Sequence, residues 1–109
     1  MANFNAQLPT IFGALSDPTR LAVVERLVTG PASVSELAKP FDMAGPSFLK
    51  HLKVLEDAGL ARSEKKGRVR TVTLSPDGLH WVEEWALRHR RLWEHRLDNL
   101  GNFLVKGNN

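Results

Sequence analysis

The chain contains no cysteine, which removes disulfides, thiolate zinc sites, iron–sulfur clusters and thiol catalysis. Nor does any apolar run approach the roughly 18 residues a membrane helix needs. The start, MANFNAQLPT, lacks the basic opening and apolar stretch of a signal peptide, so the expectation is a cytoplasmic protein with no membrane partner. No Ser/His/Asp ordering, phosphate-cradling glycine loop or HExxH helix is present, so no enzyme and no cofactor are expected. What is present is an ordinary globular balance, 42% hydrophobic and 25% charged over 109 residues, enough for a single domain over 1–109.

Charge is unevenly placed. Residues 44–74 hold seven basic side chains (Lys50, Lys53, Arg62, Lys65, Lys66, Arg68, Arg70) against three acidic ones (Glu56, Asp57, Glu64), a balance of +4 in a chain of formal charge +3. The remainder therefore sums to −1. A local basic excess suits an anionic partner; solvated charge on a hairpin is the plainer reading.

Apolar spacing and punctuation outline the elements. A first helix is expected from about residue 5 to 15, with Phe4, Leu8, Ile11, Phe12 and Leu15 at helical spacing. Asp17 reads as an N-cap and Pro18 as the first residue of a second helix, with Leu21, Val24, Leu27 and Val28 inward until Gly30 and Pro31. Ser33 and Glu36 form a capping box for a short third helix ending at Pro40. A fourth helix, from Gly45 or Pro46 to Ala58, places Phe48, Leu52 and Leu55 on one side, and Gly59 ends it. Rotation by about 100 degrees per residue then sets Pro46, Lys50 and Lys53 about 160, 200 and 140 degrees from Phe48, pointing outward. Strands are expected at Leu60–Glu64 and Val69–Leu74, joined by a basic tip at residues 65–68. A last helix runs from Pro76 to about Leu104, on the order of 40 Å, before a frayed tail at 106–109. So small a chain cannot bury such a helix alone, so a partner chain is expected along it.

Three helices, a short turn before the last of them, and a basic β-hairpin describe a helix-turn-helix with a wing: mainly α with a small β-hairpin. A helix fits the major groove of DNA and a hairpin can lie along the adjacent minor groove. Helix and hairpin thus agree on one polyanionic partner, double-stranded DNA. The rival reading is a winged-helix protein-interaction adaptor, which has little use for five basic residues on two strands.

Leu15-Ser16-Asp17-Pro18-Thr19-Arg20-Leu21, Val34-Ser35-Glu36-Leu37-Ala38 and Lys50-His51-Leu52-Lys53-Val54-Leu55-Glu56-Asp57-Ala58-Gly59-Leu60 resemble the ArsR/SmtB family of bacterial winged-helix repressors, over about residues 8–75. The resemblance implies a homodimer joined through its first and last helices, bound to an inverted-repeat operator and released by an inducer. It makes residues 76–104 the dimerisation helix. Where arsenic sensors of that family carry Cys-Val-Cys, this chain has Ser33-Val34-Ser35; where zinc sensors carry Asp-x-His and a further His, it has Gly78 before His80, and Arg91. A member that does not sense metal is expected. The recognition-helix start, commonly serine-rich in the family, is Ala44-Gly45-Pro46-Ser47.

Histidines 80, 89 and 95 do not share one helix face, so no metal site is expected. His51 sits at the edge of the recognition helix, within reach of a neighbouring element or a phosphate. Trp81, Trp85 and Trp93 read as packing residues rather than an inducer cavity. DNA contacts are expected from Pro46, Ser47, Lys50, His51, Lys53, Arg62, Lys65, Lys66, Arg68 and Arg70, and dimer contacts from Leu8, Ile11, Phe12, Val82, Trp85, Leu92, Trp93, Leu97 and Leu100. The resemblance also admits a small-molecule inducer as a further partner.

Overall fold

The computed structural model describes residues 6–107, with side chains as far as residue 101. Phe4, the side chains of Phe103 and Leu104, and residues 108–109 lie outside the described residues. In chain order the elements are α1 (Leu8–Leu15), α2 (Pro18–Leu27), β1 (Ala32–Ser33), α3 (Val34–Ala38), α4 (Gly45–Asp57), β2 (Ala61–Lys66), β3 (Val69–Leu74) and α5 (Pro76–Gly107). The strands form an antiparallel sheet in the order β1-β3-β2.

Local chemistry sets the helix ends. Asp17 is extended and its Oδ2 accepts from the Arg20 N–H at 3.0 Å, with Pro18 next, so α2 starts there. Ser33 Oγ accepts from the Glu36 N–H at 3.1 Å while Glu36 Oε1 accepts from the Ser33 N–H at 2.9 Å, closing the capping box of α3. Gly59, at φ 74°, ends α4: its N–H bonds the Glu56 carbonyl and the Leu60 N–H bonds the Leu55 carbonyl at 2.9 Å. Leu55 and Leu60, both fully buried, make the apolar contact that accompanies this termination.

The core joins Ile11 and Ala14 of α1, Val23, Val24 and Leu27 of α2, Leu37, the α4 row Phe48, Leu52 and Leu55, and Val72 of the sheet. Phe41 stacks on Phe48 at 5.8 Å between ring centroids. Leu79, Trp81 and Val82 bring the first turns of α5 against this core. The approach is close at Gly78, whose N–H bonds the Gly59 carbonyl at 3.0 Å. A Cβ there would lie 2.7 Å from Leu60 Cδ2 and 2.9 Å from the Gly59 oxygen.

Several expectations need correction. Helix α1 begins at Leu8, not near residue 5, with Pro9 in its opening turn. The inward residues of α2 are Val23, Val24 and Leu27; Leu21, on the far side of the helix from Val23, and Val28 are exposed. β1 is a strand the sequence did not signal, because two residues carry no alternation. β2 begins one residue later than expected, since Leu60 belongs to the helix end, and runs on to Lys66, leaving a two-residue tip at Gly67 and Arg68. Helix α5 continues through Lys106 to Gly107, where a frayed tail was expected.

Candidate nucleic-acid interface

Helix α4 separates two chemistries by rotation. Phe48, Leu52 and Leu55 are at most 1% exposed, while Pro46, Ser47, Lys50 and Lys53 all face solvent. No side chain caps Ala44, so the first-turn N–H groups of α4 are left open to an anion's oxygen. Among the described residues Lys50 makes no ion pair, and Lys53 pairs only with Asp57, at 3.4 Å with both side chains largely exposed. Exposed pairs of this kind are worth under about 1 kcal/mol, so a phosphate can displace the carboxylate.

The hairpin places its cations on both of its faces. Cross-strand register pairs Arg62 with Thr73 and Lys66 with Val69 on one face, and Ser63 with Val72 and Lys65 with Arg70 on the core-facing one. Arg68 sits at the tip beside Gly67, whose φ of 62° allows the tight reversal. Arg62, Lys65, Lys66 and Arg68 are exposed; Lys66 lies 3.9 Å from the exposed Glu64.

Two of the ten expected DNA-contact residues have work inside the chain. Arg70 is held by Glu56 Oε2 at 3.2 Å and donates from Nε to Ser63 Oγ at 2.9 Å, while Ser63 donates to the same Glu56 oxygen at 2.7 Å. This triangle ties the wing to α4. Its face of β3 is the one that carries buried Val72, so Arg70 reaches Glu56 along that face while its side chain stays 42% exposed. His51, half-buried, meets Arg20 Nη1 through its Nδ1 at 3.0 Å. Arginine has no acceptor, so Nδ1 takes the hydrogen bond and the ring proton of the neutral imidazole sits on Nε2.

Arg20 also donates to the carbonyls of Ala14 at 2.8 Å and Gly13 at 3.3 Å, so one guanidinium joins the end of α1, the start of α2 and the middle of α4. Asp17 completes the group 3.8 Å from His51. The backbone N–H of Arg20, reinforced by the nearby Arg20 charge, holds the Asp17 carboxyl below the usual carboxylate range against a smaller desolvation effect. The bond from the Ser33 backbone does the same for Glu36. Sequence reasoning missed the roles of Arg20, Glu56 and Ser63. Arg20 did leave a signal, because a cation in the first turn of a helix opposes the helix dipole unless it serves another contact.

The second surface is the stripe along α5. Phe12 packs edge-on against Trp85 at 5.3 Å, and Trp85 stacks on His89 at 4.5 Å. Beyond Leu87 every described side chain of α5 is exposed, including Leu92, Trp93, Leu97 and Leu100 at 46–60%. Among the residues expected at a dimer contact, Ile11 is fully buried in this chain's own core and offers no surface to a second copy. Val82 and Leu8 are half-buried, Val82 against that core. Among the described residues there is no group of three or more metal-ligating side chains. Gly78 cannot be exchanged for a ligand-bearing residue without displacing Leu60.

Residues 15–64 match the model of a helix-turn-helix domain family. The HTH-type transcriptional regulator Rv2034 of Mycobacterium tuberculosis is 46% identical over 66 residues, a match spanning 61% of this chain and 62% of that regulator. The transcriptional repressor SdpR of Bacillus subtilis is 28% identical over 99 residues, 91% of this chain and 94% of SdpR. The crystal structure of the ArsR family transcriptional regulator RHA00566 superposes with a TM-score of 0.77 at 57% identity, covering 81% of this chain and 97% of that one.

Proposed function

Because the chain belongs to the ArsR family of helix-turn-helix transcriptional regulators and is a DNA-binding regulator, we propose that it acts as a homodimeric repressor on an inverted-repeat operator. Two copies joined along α1 and α5 present two α4 helices to successive major grooves, about 34 Å apart on one side of the duplex. Ser47 and Lys50 reach base edges there. Lys53, Arg62, Lys65, Lys66 and Arg68 meet phosphates, fixing register and supplying affinity without sequence information. Arg70 and His51 act through contacts within the chain, holding the wing and α4 in place.

The observation that carries the dimer is the exposed row Trp85, Leu92, Trp93, Leu97 and Leu100 on one helix, continuous with exposed Phe12. Apolar surface so grouped marks an interaction site, and a two-fold contact buries it against itself. Repression follows from occupying promoter DNA. The chain has no cysteine, so any release signal reaches it by chemistry other than thiolate ligation.

The test is selection of bound sequences from random duplex DNA, followed by titration at several salt concentrations. An inverted repeat bound by two chains is expected. Arg68→Ala should weaken binding on all sequences and reduce the salt slope by about one, whereas Arg70→Ala should leave the slope nearly unchanged. A non-repeated site bound by one chain would overturn the dimeric reading. Equal slope losses for Arg68→Ala and Arg70→Ala would remove the distinction between contact and support.

A further inference from the structure

Leu49 lies on α4 three residues after Pro46 and four before Lys53, so these side chains share one stretch of helix surface. Leu49 is 43% exposed and takes no part in the core cluster, although Phe48 beside it is buried at 1%. Helix propensity does not account for it, since alanine, lysine or arginine would serve the helix as well without exposing an apolar side chain. Charge complementarity names the occupant: Lys50 and Lys53 flank Leu49 on the same outward surface, so whatever covers it is polyanionic. Of the groups displayed in the major groove, the thymine C5 methyl is the apolar one.

We propose that Leu49, with Pro46 one turn before it, reads a thymine methyl in each half-site, making Leu49 a specificity-determining residue of the operator contact. This rests on α4 being the element that enters the major groove. Burying one methyl against an aliphatic side chain is worth about fourfold in affinity (about 0.8 kcal/mol). A bare row of cations binds any duplex; an apolar group among them penalises the hydrogen-bonding edges that cannot pair with it.

The experiment uses the full chain and its selected operator, with each thymine in turn replaced by deoxyuridine, which lacks only the methyl. For the wild type, one thymine per half-site should show about a fourfold loss on replacement. For Leu49→Ala that loss should vanish, with thymine and uracil operators bound equally. For Leu49→Met it should persist, as it should for Lys53→Ala, which weakens both operators alike. 5-Methylcytosine at the same position should regain part of the affinity that unmodified cytosine loses. If no deoxyuridine position is sensitive, or if the sensitivity survives in Leu49→Ala, the inference fails while the DNA-binding reading stands. If selection recovers no preferred sequence at all, both fail. Circular dichroism of Leu49→Ala should match the wild type, because the substitution removes only surface atoms.

Discussion

Helices α4 and α5 carry the same kind of apolar periodicity and end differently. In α4 the row Phe48, Leu52, Leu55 is at most 1% exposed, because α1, α2 and β2 close over it. In the distal half of α5 the row Leu92, Trp93, Leu97, Leu100 is 46–60% exposed, because the helix runs past the body of the molecule, which measures 73 Å by only 30 and 22 Å. A period of three and four residues states that a partner exists and is silent on which chain supplies it. The body covers the α4 row; α5 covers its own only as far as Val82 and, in part, Trp85.

The contrast can be broken at its strongest point first. Phe48→Ala leaves a cavity at the centre of the body and should cost about 3–5 kcal/mol of folding stability, a large share of the roughly 5–15 kcal/mol such a domain has. Urea titration measures it; a loss under about 1 kcal/mol would mean that the α4 row is not the fold's anchor. The paired change Trp93→Ala and Leu97→Ala should do the converse. It should weaken self-association at least about a hundredfold, since buried tryptophans dominate such interfaces, while leaving the body's unfolding signal in place. Sedimentation at a series of concentrations reads this directly. A wild type that is already a folded monomer at micromolar concentration removes the second half of the comparison.

How much of this was legible depended on how local the cause was. The Asp17 and Ser33 caps, the Gly59 stop, the α4 core row and the length of α5 each follow from a few neighbouring residues, and the sequence shows them. The inward face of α2 was misread because Leu21 and Val28 fit a helical period as well as Val23 does; only the position of α4 chooses between them. β1 was invisible because it exists by pairing with β3, Ala32 opposite Val72, and not by any pattern of its own. Among the ten expected DNA-contact residues, nine are exposed and His51 alone is half-buried. His51 and Arg70 are engaged within the chain, by Arg20, 31 positions before His51, and by Glu56, 14 before Arg70. Contacts at such separations leave no mark on the local pattern. A charged side chain in the sequence shows its chemistry; whether it points at solvent or at another element is decided by the fold.

The smallest expected effect distinguishes the body by chemistry instead of packing. Helices α2 and α3 are started with the help of carboxylates, Asp17 and Glu36, and both are held below the usual carboxylate range in the folded chain. The folded state then binds fewer protons than the unfolded state just below about pH 5, so stability rises with pH through that window. It is fully present above the unfolded carboxylate values and is lost as pH falls through the depressed folded ones. Asn and Gln still accept a hydrogen bond but do not ionise, so the double variant Asp17→Asn, Glu36→Gln keeps both caps without their titration. Its urea midpoint at pH 7 should lie at or slightly below that of the wild type, and should fall less between pH 5 and pH 3. Parallel declines would show that these two carboxylates carry none of the acid sensitivity. A shallower decline in the variant assigns part of it to the two helix starts of the body, far from the exposed row on α5.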